Sequence, residues 1–272
     1  MLPLRTIGEM SDTLLITGAK GTIGSMLRES LRRPGRHLKL LDIATQAPLA
    51  DGEDAELLVG SFLDPEVLAR AVEGVDAIIH LGGLSSAGYQ WAEYLEININ
   101  GTYLLLEAAR IARVSRMVYA SSNHAVGFAR ASDFDIVPDY LFPRPDTFYG
   151  MSKAASESLC SLFFDRHGID AICLRIGSYR EEPTDRRSLA TWLSPGDCTR
   201  LVEASLSVES PGFRVVWGIS ANTRRVVSLK EGHAIGYEPQ DNAERYASQL
   251  VNLTGKEETD LIGGPYTAKH VE

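Results

Sequence analysis

The short apolar run TLLIT at 13–17 leads into TGAKGTIG, which opens the helical pattern TIGSMLRESLRR at 22–33. This order of strand, glycine turn and helix constrains the chain more than any other feature. Glycines at 18, 21 and 24 allow, in turn, a tight bend, close approach of the backbone to a ligand, and close packing of helix on strand. The helix N-terminus then presents free N–H groups to an anion such as a pyrophosphate. The spacing is G-x-x-G-x-x-G, not the G-x-G-x-x-G of the general dinucleotide fingerprint, but the physics is the same.

Further apolar runs follow at 37–42 (HLKLLD), 56–60 (ELLVG), 76–83 (DAIIHLGG), 116–122 (RMVYASS), 170–177 (DAICLRIG) and 213–220 (FRVVWGIS). Helical patterns lie between them at 65–73, 90–113 and 148–167. Continuously apolar strands that alternate with helices require parallel pairing with both faces covered. The predicted fold class is therefore α/β, a doubly wound parallel sheet of Rossmann type with a small C-terminal substrate cap. Residues 1–12 form a tail and 13–178 the dinucleotide-binding domain; 179–272 are mainly cap, with the strand at 213–220 returning to the sheet. A helix-rich stretch at 185–208 and a late segment at 236–250 belong to the cap. Ligands of such a sheet sit at the carboxyl ends of its strands.

Charge and composition narrow the partners. A formal net charge of -9 argues against a general nucleic-acid binder, which needs a basic face. No apolar run is long enough to span a bilayer, and the start MLPLRTIGEMSD lacks the pattern of a signal peptide. Cys160, Cys173 and Cys198 have no metal-ligand spacing and no even count for disulfides. They read as buried thiols in a reducing compartment, so the expectation is a cytoplasmic protein with no membrane partner and no metal.

Three more features carry chemistry. Asp42 ends the second strand, where a carboxylate accepts hydrogen bonds from ribose hydroxyls and repels a 2′-phosphate. Ile43 and Ala44 follow it with no adjacent arginine, which favours NAD over NADP. Tyr149 and Lys153 stand four apart on one helix face. A lysine ammonium beside a phenol favours the phenolate, lowering a solution pKa of roughly 10 toward the working range. Ser121 and Ser122 end the fifth strand, where a hydroxyl can hold a substrate oxygen. An isolated Tyr-x-x-x-Lys is usually an ordinary helix surface, but the glycine turn and the strand-end serine change its weight.

Together TGAKGTIG, HLGG, INING, ASSN and YGMSK resemble the extended short-chain dehydrogenase/reductase family. The resemblance implies a catalytic set of Ser122, Tyr149 and Lys153, with Asn98 helping to hold the lysine and a water relay. It also implies cofactor contacts at Gly18, Lys20, Gly21, Thr22, Ile23, Gly24, Asp42, Ser61, Phe62, Leu81, Gly82, Gly83, Tyr149, Lys153 and Ile176. At Ser61 the family usually carries an aspartate that contacts the adenine. The runs VYASSNHAVG, RIGSYREEPTDRRSLATWLS, VVWGISAN and GYEPQDNAE are similar to those of the bacterial NAD-dependent uronate dehydrogenases. That similarity implies oxidation of glucuronate or galacturonate at C1 to an aldarolactone. Ser85, Ser122, Asn123, His124 and Tyr149 would meet the sugar, and Ser178 and Arg187 its carboxylate.

The arginines can be weighed by chemistry alone. A guanidinium meets a carboxylate through a planar fork. Arg187 is the expected substrate arginine, with Arg186 second. Arg175 lies in a strand and reads as structural, and Arg180 and Arg186 can pair at the surface with Glu181, Glu182 or Asp185. The nearest rival is a nucleotide-sugar epimerase, dehydratase or reductase of the same family. A rival of another class is a non-catalytic dinucleotide sensor. The resemblance also implies a homo-oligomer, with the helices at 90–113 and 148–167 pairing between subunits.

Overall fold

The computed structural model describes residues 12–250, 260–269 and 271. The expected N-terminal tail, up to residue 11, lies outside the described residues. The strands are β1 (Asp12–Thr17), β2 (Arg36–Asp42), β3 (Ala55–Val59), β4 (Ala77–His80), β5 (Arg116–Ser122) and β6 (Asp170–Ile176). A short pair follows, β7 (Ser178–Tyr179) and β8 (Trp192–Leu193), and then β9 (Phe213–Gly218). Seven strands form one sheet in the order β3-β2-β1-β4-β5-β6-β9, and each neighbouring pair is parallel. The order reverses between β1 and β4, which is where a crevice opens at the carboxyl ends. The strand expected at 213–220 does return to the sheet, beside β6.

Helices α1 (Thr22–Ser30), α2 (Pro65–Val72), α3 (Trp91–Glu93), α4 (Gly101–Ala112) and α5 (Phe148–His167) accompany the first six strands. After them come α6 (Ser188–Thr191), α7 (Pro195–Ser207), α8 (Lys230–Ala234) and α9 (Ala247–Leu250). One apolar core joins Leu27 and Leu31 with Leu201, Val202 and Leu206, which places α1 and α7 on the same face. The other core joins Leu68, Ala71, Leu105, Leu106, Cys160 and Phe163 from α2, α4 and α5. Local signals set the ends of these helices. Asp64 Oδ1 accepts from Glu66 N and Val67 N ahead of Pro65, and Thr147 Oγ1 accepts from Gly150 N at the start of α5. The same helix ends at Gly168, whose φ of 70° is the left-handed cap that glycine supplies without strain.

One expected helix is interrupted. The pattern at 90–113 is one rod, but residues Tyr94–Asn100 form a wide π turn between α3 and α4. The apolar residues at 94, 97, 104, 105, 108 and 111 fall on one face at α-helical spacing, so periodicity does not reveal it. Within the turn Asn98 faces inward, donating to Leu84 O at 3.0 Å and Ser152 Oγ at 2.9 Å and accepting from Leu84 N at 2.8 Å. The helix-rich stretch at 185–208 holds α6 and α7, and between them β8 pairs with β7. Helix α7 then packs beside α1: Thr199 Oγ1 donates to Ser30 Oγ at 2.9 Å, and Arg36 pairs with Glu203 at 2.6 Å. Of the late segment at 236–250, a 3₁₀ turn at Ala243–Tyr246 and the short α9 are helical.

One buried ion pair fastens α5 to the sheet. Glu157 accepts from Arg175 Nε at 2.9 Å and Nη2 at 2.8 Å, and from Ser121 Oγ at 2.5 Å. Arg175 also donates to Asp139 O and Leu141 O, so it has the structural role its strand position suggests. Removing one partner of a buried pair strands the other charge. Glu157→Gln is expected to lower the unfolding free energy by about 3–5 kcal/mol, measured by urea denaturation.

Candidate active site

A cavity of about 1370 Å³ runs along the carboxyl ends of the strands, from the glycine turn to His124. Gly18, Lys20, Gly21, Thr22, Ile23, Gly24, Asp42, Ser61, Phe62, Leu81, Gly82, Gly83, Tyr149, Lys153 and Ile176 all line it. Two glycines are dictated by space. Gly18 has φ +70° with Gly82 N 2.8 Å from where its Cβ would stand, and a Cβ on Gly24 would lie 2.3 Å from Gly18 O. Helix α1 begins at Gly21 with no side-chain cap and no acidic residue in its first turn. Its leading N–H groups therefore face the cavity as an anion cradle.

Asp42 is fixed against that turn, accepting from Lys20 N at 2.9 Å and Ala44 N at 3.0 Å. Ser61 Oγ accepts from Leu63 N at 3.1 Å, so its hydroxyl serves its own loop. Phe62 meets His80 edge-on at 5.5 Å. His80 bridges Thr17 Oγ1 at 2.7 Å and Thr102 Oγ1 at 3.2 Å beneath the cofactor loop. Burial first, and Lys153 second, pull its pKa down to about 3, so the ring is neutral.

At the chemical end Ser122 Oγ accepts from His124 N at 3.2 Å, and the Ser122 hydroxyl favours the ionised form of Tyr149. Lys153 Nζ donates to Ala120 O at 2.8 Å. It lies 5.0 Å from the ring centroid of Tyr119 and 5.7 Å from that of Tyr149. Asn98 meets the Leu84 backbone and Ser152, not Lys153, so its side chain pins the 81–84 loop. Ser85, Ser122, Asn123, His124 and Tyr149 line the cavity together; Ser178 and Arg187 do not. Half-buried Arg187 donates from Nη1 to Ser178 Oγ at 3.2 Å and from Nη2 to Ile262 O at 2.8 Å. Ile262 O also accepts from Asn123 Nδ2 at 3.1 Å, so one carbonyl joins the arginine to the cavity wall. Arg180 lines the cavity with Glu181, Glu182 and Thr184.

The model of the NAD-dependent epimerase/dehydratase family matches residues 14–193. The chain belongs to that family. Among the family's relatives, a uronate dehydrogenase of Pseudomonas syringae pv. tomato is 40% identical over 239 residues, covering 88% of this chain and 86% of its own. A glucuronic acid dehydrogenase structure from Chromohalobacter salexigens superposes with a TM-score of 0.89 at 34% identity, covering 96% of this chain and 98% of that one. A mutant of uronate dehydrogenase from Agrobacterium tumefaciens, complexed with NAD, gives 0.87 at 33% identity, covering 94% and 97%.

In this family member the electrostatics of the tyrosine–lysine pair differ from the sequence expectation. Burial pushes the Tyr149 phenol up to about 12, opposed by the Ser122 hydroxyl. Burial also pulls Lys153 down to about 8, opposed by Glu157. Desolvation thus drives each partner toward its neutral form and outweighs the expected lowering of the phenol. Several contributors to the site carried no sequence signal. Asp146 holds the His124 ring, Glu157 sits one turn beyond Lys153, and the segment 260–267 brings Tyr266 to His124, the two rings tilted at 40° with centroids 4.2 Å apart. The glycines at 263 and 264 mark a turn but not its destination.

The lysine shift has a thermodynamic sign. Folded Lys153 has its pKa lowered from 10.5 to about 8, so between those values the unfolded chain holds more protons than the folded one. Stability therefore rises with pH across that window, and the full burial penalty is present below it. Lys153→Met is expected to raise the unfolding free energy at neutral pH by on the order of 2 kcal/mol, after allowing for the lost bond to Ala120 O. That advantage should shrink as the pH is raised from 8 toward 10.5, read from denaturation midpoints of both proteins.

Proposed function

We propose that the chain oxidises aldohexuronates, glucuronate or galacturonate, at C1 to the aldarolactone, with NAD as cofactor. The observation that carries this reading is Arg187. Burial lowers its pKa, with the nearby charges of Asp185 and Asp146 opposing, and among the described residues it donates to two neutral oxygens, Ser178 Oγ and Ile262 O. A partly desolvated guanidinium beside a cavity lined by hydroxyl and amide groups suits a ligand with one carboxylate on a sugar ring. The relatives named for uronate and glucuronic acid dehydrogenases support the same assignment.

The residues present fit NAD: the uncapped start of α1 suits the pyrophosphate, and Asp42 suits an unmodified ribose. When bound there, NAD supplies the hydride acceptor. Ser122 holds the C1 hydroxyl oxygen and Tyr149 takes its proton. Lys153 supports the tyrosine's charge, and Asn98 keeps the 81–84 loop in place. Ser85, Asn123 and His124 hold ring hydroxyls, while Arg187 and Ser178 take the carboxylate. The ring oxygen never leaves C1, so the product is a lactone.

Assembly and location complete the proposal. Trp91, Leu95, Tyr103, Phe148, Met151 and Leu162 are exposed on the adjacent α3–α4 and α5 surfaces, with Trp91 5.5 Å from Phe148. This apolar face supports a homo-oligomer. Cys160, Cys173 and Cys198 are free and buried, and no helix among the described residues is long and apolar enough to cross a membrane. Both observations fit a cytoplasmic enzyme.

NADH absorbance should rise with glucuronate or galacturonate and stay flat with glucose or UDP-sugars. Equal rates on glucose and glucuronate would sink the carboxylate reading. Arg187→Ala should raise KM for glucuronate by roughly 10- to 100-fold, the loss of a charge-assisted bond. Tyr149→Phe should abolish turnover while NADH, followed by fluorescence titration, still binds.

A further inference from the structure

At the sugar end of the cavity, the His124 ring is held by a carboxylate from the loop ahead of α5. Asp146 Oδ2 lies 2.7 Å from His124 Nδ1, and the Asp146 side chain is fully buried. Its other oxygen, Oδ1, accepts the Thr147 hydroxyl at 3.2 Å, and the Thr147 oxygen in turn accepts from Gly150 N at 3.1 Å. The pair is therefore built into the N-cap of the helix that carries Tyr149.

The space around the carboxylate is shaped by glycines from three separate segments. A Cβ on Gly127 would stand 2.0 Å from Oδ2, one on Gly263 1.8 Å from Oδ2, and one on Gly150 3.0 Å from Oδ1. Two of these segments are joined directly, since Gly263 N donates to Gly127 O at 2.9 Å. Any larger residue at Gly127 or Gly263 would have to displace Asp146. A carboxylate taken this far from water is costly unless a strong donor meets it, and His124 supplies that donor.

The chemistry of the pair determines which nitrogen is left for a ligand. A carboxylate only accepts, so His124 Nδ1 must carry the hydrogen. In the neutral ring Nε2 then bears a lone pair. His124 lines the cavity, with Tyr266 at 4.2 Å and Tyr149 at 5.8 Å between ring centroids. Nδ1 is committed to the glycine niche, so Nε2 is the nitrogen that faces a bound molecule.

We infer that Asp146 is a positioning residue: it fixes His124 in the Nδ1–H form so that Nε2 accepts a hydrogen bond from a ring hydroxyl of the sugar acid. The identity of that ligand rests on the uronate reading above. The site then recognises its substrate by two opposite demands, an anion for Arg187 and a hydroxyl donor for His124. A histidine left to choose its tautomer would present a donor part of the time and lose that discrimination.

The test begins with the unaltered full-length protein. Nitrogen-15 spectra of histidine-labelled protein, recorded without sugar at about pH 8, where a free imidazole is neutral, should show His124 protonated at Nδ1 and bare at Nε2. Protonation at Nε2 would overturn the inference whether or not any variant folds. In kinetics, Asp146→Asn should raise KM for glucuronate by about 10-fold, on the scale of one lost oriented hydrogen bond. NADH affinity should stay within about twofold, and the substitution should have little further effect in a His124→Ala background. An equal loss in both backgrounds, or a parallel loss of NADH affinity, would mean that Asp146 only supports the fold. If the unaltered protein turns over no uronate, the functional reading fails by itself, while the tautomer still decides the role of Asp146.

Discussion

The carboxylate of Glu157 ties three elements together at one buried point. It sits on α5 and receives Arg175 from β6 and Ser121 from β5. Lys153, one turn earlier on the same helix, donates to Ala120 O beside Ser121. The helix that carries Tyr149 and Lys153 is thus fastened to the two strands whose ends form the site. A catalytic group that slips by about an ångström loses orders of magnitude in rate. The rigidity of this attachment therefore matters more to the chemistry than its net contribution to stability, which for a buried ion pair is often small.

The same burial that gives rigidity sets the charge states. Tyr149 is pushed up and Lys153 down by desolvation, and His80 is held neutral beneath the cofactor loop. Without a ligand the site therefore favours uncharged groups. A phenolate base requires positive charge nearby to offset that preference. Lys153 is the cation in place, and Glu157 behind it favours the charged form of that lysine.

Most of the sheet was legible in the sequence because buried parallel strands are continuous apolar runs that need no partner information to be seen. The strand at 116–122 and the helix at 148–167 have the same limits in the structure, the latter because Thr147 and Gly168 mark its ends chemically. The cofactor half was legible for a similar reason: strand, glycine turn and strand-end Asp42 are local in sequence. The sugar end was not. Asp146 meets His124 across 22 positions, and Ile262 meets Asn123 across 139, so no spacing rule connects them. The π turn that aims Asn98 inward escaped because the apolar residues at 94, 97, 104, 105, 108 and 111 already read as one α-helical face. Arg187 stands out by its chemistry, but its bond to the Ile262 carbonyl spans 75 positions and follows no spacing rule.

That carbonyl has a consequence for how such a site can vary. Asn123 and Arg187 both donate to Ile262 O, a main-chain atom. No side-chain exchange at position 262 can delete the acceptor, so the junction the two donors share is indifferent to ordinary substitution there. It is exposed instead to changes in chain length. One residue inserted or lost between the bonds Ile262 N→Ala129 O and Gly263 N→Gly127 O would shift the register and release both donors together. A change of chain length at this point therefore disturbs the junction in a way that exchange of the Ile262 side chain cannot.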